Sequence, residues 1–219
     1  MRKAVALFLA LIMGLSLVLS GCGPSKTDIK AAEDKKTQEA FDTAKNAYTA
    51  LNEASDFVVG VMDSVYGAWY FGIYKADDST TTNVISNLSK ETHLSTSELS
   101  AAVKSLTESI GVSEYLWEFS MTDDWQYCLY TVNEAYVLNG VIGEIQQKID
   151  TANAALRTMT NEFDDYKHYP TLKDYYAKVT SYFEFAQNPT GSFQQLKDTI
   201  NSYETDMRTL KSDLSFVFE

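Results

Sequence analysis

The chain has 219 residues, with 30 Asp and Glu against 18 Lys and Arg, two Cys, and 45% apolar residues. This composition excludes a disordered chain, a disulfide scaffold and a collagen-like repeat. A net charge of −12 argues against general nucleic-acid binding, which needs a basic surface for the phosphates.

The first residues address the chain to a membrane. Arg2 and Lys3 precede an uncharged run from Ala4 to Leu19, and then comes Leu19-Ser20-Gly21-Cys22. A basic start, an apolar core and small residues before a cut describe a signal peptide. The tetrapeptide resembles the lipobox of bacterial lipoproteins. That resemblance implies cleavage before Cys22 and a lipid on its thiol, so residues 1–21 are expected to be removed. Residues 22–27 would be the lipidated Cys and a short tether. The expected location is the extracytoplasmic face of a cell membrane. The loss of Arg2 and Lys3 leaves the mature chain more acidic still, so the lipid and not surface charge must do the tethering. An uncleaved transmembrane helix is the poorer reading, because the apolar run is short for a span of about 20 residues. With Cys22 lipidated, Cys128 is a single thiol without a disulfide partner, and its aromatic neighbours suggest burial.

From Asp28 onward the pattern is helical, with no run of period-two alternation. The first long helix spans about 28–75. Phe41, Ala44, Tyr48, Leu51, Ser55, Val58, Met62, Val65, Trp69 and Gly72 recur at spacings of three and four, as the buried stripe of a bundle does. Its later part, Phe57 to Tyr74, is apolar on nearly all sides, with Asp63 its one charge.

Residues 76–83 read as a loop, rich in Ser, Thr and Asp. Short helices follow, and 76–121 forms a helical cap inserted in the bundle. Ser95 to Glu98 is a capping box, and Gly111 ends the helix that begins there. Residues 112–120 make another short helix, with Leu116, Trp117 and Phe119. Val84 to Leu106 has the spacing of a helix-turn-helix, but its second helix carries a single Lys104, so DNA reading is not expected.

A second long helix is expected from Thr122–Asp124 to about His168, on the unbroken spacing of Leu138, Ile142, Ile145, Ile149, Ala152, Leu156, Met159, Phe163 and Tyr166. Asp123 and Asp124 would cap its start, and Pro170 stops it. A third helix covers about 171–187. Asn188-Pro189-Thr190-Gly191 interrupts, with Asn188 as a cap and Pro189 in a first turn. The last helix runs from Ser192 to about Val217. The three stretches have similar lengths, each roughly 70 Å at 1.5 Å per residue. The fold class is therefore all-α: an elongated antiparallel bundle of residues 28–219. The break at 188–191 is either a kink in a three-helix bundle or a hairpin in a four-helix one.

No sequence pattern supports chemistry. His93 and His168 are far apart, and no paired metal-ligand spacing occurs, so no metal and no cofactor are expected. No nucleophile motif or phosphate-binding loop is present, so the chain is not expected to be an enzyme. The unusual feature is the aromatic load at the end of the first helix, in the cap and at the start of the second. An antiparallel bundle brings these three regions to one end. Trp69, Tyr70, Trp117 and Trp125 are the candidate contacts for a protein, glycan or small-molecule partner. A buried aromatic core is the competing account of the same residues. The function expected is a membrane-tethered, non-enzymatic binding or interaction module. The rivals are a membrane-active, pore-forming-like bundle that inserts Phe57 to Tyr74, and a structural spacer or self-assembling coiled coil.

Overall fold

In a computed structural model, residues 26–76 and 79–219 are described. The expected signal peptide and Cys22 lie outside them. The described residues form eight α-helices and no strand, so the fold is all-α. The helices are α1 (Lys26–Tyr74), α2 (Val84–Glu91), α3 (Thr96–Ile110), α4 (Glu114–Asp123), α5 (Trp125–Leu138), α6 (Val141–Glu162), α7 (Tyr169–Gln187) and α8 (Phe193–Phe218). Lys26 and Thr27, assigned above to the tether, are the first residues of α1.

The chain divides into two compact units, with a boundary between Asp42 and Thr43. In the first, residues 26–42 of α1 form a polar helical segment. It carries i,i+4 pairs along its surface: Lys35 with Glu39 at 3.5 Å, and Gln38 donating to Asp42 at 2.9 Å. Such pairs contribute a few tenths of a kcal/mol each, ~0.2–0.5.

The second unit, residues 43–219, is a four-helix bundle with a helical cap. Cross-helix contacts fix the directions. Along α1 and α8, Tyr48 donates to Glu219, Asp56 pairs with Lys211, and Tyr66 packs on Phe193, so the two run antiparallel. Trp69 meets Trp125, Ser64 meets Tyr136, and Glu53 pairs with Lys148. Thus α5 and α6 together run antiparallel to α1. Lys178 with Asp206 and Tyr182 with Glu204 make α7 and α8 antiparallel neighbours. The order is up, down, up, down. The 188–191 break is therefore a hairpin and not a kink.

The stripe that the spacing of α1 predicts is buried from Ala44 to Trp69, through Tyr48, Leu51, Ser55, Val58, Met62 and Val65, while Phe41 and Gly72 at its two ends are half-buried. Ile145, Ile149, Ala152, Leu156 and Met159 of α6 are buried with Leu172, Tyr175, Val179 and Tyr182 of α7 and Leu196, Met207 and Leu214 of α8.

Three details depart from expectation. The second long helix is not continuous. Gly140 adopts φ +84°, a left-handed conformation that costs Gly little, and the Asn139 side chain accepts the Val141 amide at 3.2 Å. The break leaves Leu138 exposed instead of in the apolar stripe. The helix also ends at Glu162, short of His168. Asp123 closes α4, and Asp124 alone caps α5 by accepting the Gln126 amide at 2.9 Å. Asn188 terminates α7; the N-cap of α8 is Ser192, in a capping box with Gln195.

The cap ends follow the sequence. Ser95 accepts the Glu98 amide while Glu98 accepts the Ser95 amide, and Gly111 closes α3 at φ +74°. On the bundle side, α3 lies antiparallel to α5 through Glu98 with Asn139 and Ser105 with Glu134.

Candidate functional site

Two glycines on α1 set how closely the cap and α5 approach it. A Cβ at Gly72 would stand 2.5 Å from the Trp125 Cβ, and one at Gly67 would stand 1.7 Å from the Glu91 carbonyl oxygen. The short approach at Gly72 places Trp125 over Trp69, with ring centroids 4.3 Å apart and planes 9° from parallel. Trp69 is 2% exposed and belongs to the core; Trp125 is half-buried.

Trp117 is also core, at 6% exposure. Its indole Nε1 donates to Thr131 Oγ1 at 3.0 Å, and its ring meets Tyr127 edge-on at 4.7 Å. Burial withdraws Trp69 and Trp117 from any partner. Tyr70 is half-buried in a ladder with Tyr66 and Tyr74, one turn apart on α1, which packs against Phe193 of α8. Lys75 sits 5.2 Å from the Tyr70 ring centroid. The structure thus brings Trp69 and Trp125 together, and gives Trp117 and Tyr70 other aromatic neighbours.

The accessible apolar surface lies on a different set of residues. Helix α4 has only ten residues, yet it is apolar on two faces. Trp117 and Met121, four apart, are buried. Tyr115 and Phe119, also four apart, point outward with Leu116 beside them, at 62%, 54% and 55% exposure. Ile110 and Val112, in the segment that leads into α4, are exposed as well. An amphipathic surface helix ordinarily places polar residues on its outer face. Complete burial stabilises a large apolar side chain by about 1.5–3 kcal/mol, so the exposed halves of Tyr115, Leu116 and Phe119 offer on the order of 2–5 kcal/mol to a partner.

The stretch of sequence that carries this face holds charge of one sign. From Ser105 to Gln147, 43 residues, there is no Lys, Arg or His, while seven acids occur. Lys104 reaches Glu108 at 3.9 Å, and Lys148 reaches Glu144 at 3.5 Å. Among the described residues no cation pairs with Glu114, Glu118, Asp123 or Asp124. Glu114 and Glu118 are an i,i+4 like-charge pair, which costs a few tenths of a kcal/mol, ~0.2–0.5. Partial burial, and then the Glu114 charge, hold the Glu118 carboxyl above its ordinary pKa.

Little else offers chemistry. Among the described residues no three His, Cys, Asp or Glu side chains are grouped to hold a metal ion. Cys128 is buried, and burial pushes its thiol up to about 12, far from the thiolate a nucleophile needs. A cleft of about 200 Å³ between α1 and α8 is bounded by Asp56 and Lys211, which pair with each other at 3.2 Å. Another, of about 320 Å³, lies between α1 and α2; there Lys75 pairs with Glu91, and Lys90 donates to Asn87. No described helix is long and apolar enough to cross a membrane. In the Phe57–Tyr74 segment, Val58, Val61, Met62, Val65, Trp69 and Phe71 are buried.

The outer face of α4 was within reach of sequence reasoning. Two interleaved i,i+4 apolar pairs in ten residues cannot both face one core, and the absence of cations beside them is a matter of counting. Comparison with protein families, with curated proteins and with solved structures returns no match to this chain.

Proposed function

We propose that the chain is a membrane-tethered extracytoplasmic lipoprotein that acts as a non-enzymatic interaction module. The lipid on Cys22 holds it at the membrane, and the outer face of α4 meets a partner. The observation that carries this reading is the pair of apolar faces on α4. One is spent on the core through Trp117 and Met121; the other presents Tyr115, Leu116 and Phe119 to solvent. Binding then works by apolar burial and shape. The contact set moves from the tryptophans to these three residues, with Tyr70 and Trp125 as half-buried neighbours in the aromatic region. The membrane-active and self-assembling alternatives draw less support, since the apolar stripe each would need is covered within the bundle.

Two measurements test the proposal. Detergent phase partitioning of the chain made in a bacterial host should place it with the lipids, and Cys22→Ser should send it to the aqueous phase. Identical partitioning of both would remove the anchor. A photo-cross-linking residue at position 119 on intact cells should capture a defined partner that the same residue at Ser212, on the exposed face of α8, does not. Equal capture at both positions would remove the α4 face from the interaction.

A further inference from the structure

Resting on the assignment of α4 as the contact face, we infer that its partner is a cationic amphipathic protein segment: an apolar stripe flanked by Lys or Arg. The apolar part of the argument is the exposed line of Tyr115, Phe119 and Leu116, with Ile110 and Val112 at its N-terminal edge. At 100° per residue, Glu118 stands on one flank of this line, and Asp123 falls on it, one turn beyond Phe119. Glu114 begins the helix. A partner with this complementary pattern would bury the apolar line and neutralise the acids at its margin.

Other occupants fit less well. A second copy would set the same uncompensated acids against one another, and like charges brought face to face oppose association. An anionic bilayer meets the same repulsion, and so do nucleic-acid phosphates. The unfavourable Glu114–Glu118 pair gives the local signature. It destabilises the free helix, and a cation placed between the two carboxylates relieves it. Electrostatic attraction of this kind chiefly accelerates encounter and selects partners, while apolar burial holds the complex.

The probes are two amphipathic helical peptides that share one Leu and Trp face, one with a Lys polar face and the other with a Glu polar face. Binding to the full detergent-solubilised protein is followed by fluorescence anisotropy at low and at moderate salt. The Lys peptide should bind, weaken with salt, and weaken by about tenfold in Leu116→Ser/Phe119→Ser and again in Glu114→Gln/Glu118→Gln. It should bind unchanged to Asp164→Asn/Asp213→Asn, which removes the same charge from exposed positions elsewhere. These side chains are exposed or half-exposed, and circular dichroism and melting confirm that each variant is folded.

Loss of both peptides in Leu116→Ser/Phe119→Ser, with no effect of Glu114→Gln/Glu118→Gln, overturns the cationic partner and leaves α4 as the contact face. Equal losses in the acid pair and in the Asp164/Asp213 control overturn it too, as attraction to net charge alone. Lys-peptide binding untouched by Leu116→Ser/Phe119→Ser removes the face as well. So does a Phe119-dependent dimer, or Phe119-dependent binding to neutral phosphatidylcholine vesicles, where the Lys peptide fails to bind.

Discussion

Gly72 lies directly against Trp125: a methyl group on Gly72 would come within 2.5 Å of the Trp125 Cβ and 2.6 Å of its Cα. The contact is with backbone and Cβ, which cannot swing aside. Gly72→Ala should therefore destabilise the bundle by about 1–3 kcal/mol, the range for overpacking. It should also separate Trp125 from Trp69, changing the near-ultraviolet circular dichroism of the stacked indoles. Gly67→Ala, aimed at the Glu91 carbonyl, should cost more. Gly60 has no atom within 4 Å of an added Cβ, so Gly60→Ala should gain about 0.5–1 kcal/mol by helix propensity. Urea unfolding of the three variants checks the order.

Ser64 is a buried polar link between the bundle and the cap. Its fully buried hydroxyl bonds to the Tyr136 hydroxyl at 2.7 Å and accepts the His93 backbone N–H at 3.0 Å. Ser64→Ala leaves the His93 amide without this acceptor. A loss of about 0.5–1.5 kcal/mol is expected, the net worth of a hydrogen bond, because the His93 amide is only part-buried. Hydrogen exchange at the His93 amide should rise more than exchange in α6 or α7. An unchanged His93 rate would mean that another acceptor replaces Ser64.

Glu98 and Glu118 should give the pH dependence opposite signs. Hydrogen bonds from the Ser95 side chain, the Ser95 amide and Asn139 hold Glu98 below its ordinary pKa. Its stabilisation is present above the unfolded pKa and is lost as pH falls through the lower folded one. Glu118 is raised by burial and by Glu114, so the native state holds its proton longer. Its penalty is absent below the unfolded pKa, grows as pH rises from there, and is complete above the raised folded pKa. Relative to the parent, Glu98→Gln should therefore lose its deficit on acidification, and Glu118→Gln should show a gain that grows with pH through the carboxylate range and is complete above the Glu118 titration. Melting temperatures across the carboxylate range read both. Parallel curves for the two variants would contradict the assigned causes.

Cys128 should be inert in the native protein. Burial is the first cause of its high pKa and the Asp124 charge the second. With Cys22 acylated or replaced by Ser, an aromatic disulfide reagent at neutral pH should find no reactive thiol until denaturant is added, and then one. Rapid labelling of the folded chain would show that α5 opens at Cys128.

The heptad spacing of Ala44 to Trp69, the Ser95 capping box and the Gly111 stop were legible in sequence, because each depends on neighbours within a turn or two. The same locality hides the break in the second long helix. Apolar spacing continues across Asn139-Gly140, so periodicity alone reads through a dipeptide that favours turns. The hairpin at 188–191 was legible as a break; its sense needed the cross-helix pairs Lys178–Asp206 and Tyr182–Glu204.

For the site, sequence determined composition and tertiary structure determined exposure. The aromatic load and the acid excess are properties of the chain. Whether a Trp meets solvent depends on what packs over it, and that depends on contacts distant in sequence. Gly72 admits Trp125 onto Trp69, and Thr131 receives the Trp117 indole, so Trp69 and Trp117 are consumed by the core and Trp125 is left half-buried. Helix α4 has two apolar faces, and it packs against α5, α3 and α2. Tertiary packing selected Trp117 and Met121 for the inside, and Tyr115, Leu116 and Phe119 remain at the surface because a helix buries only the face that meets a neighbour.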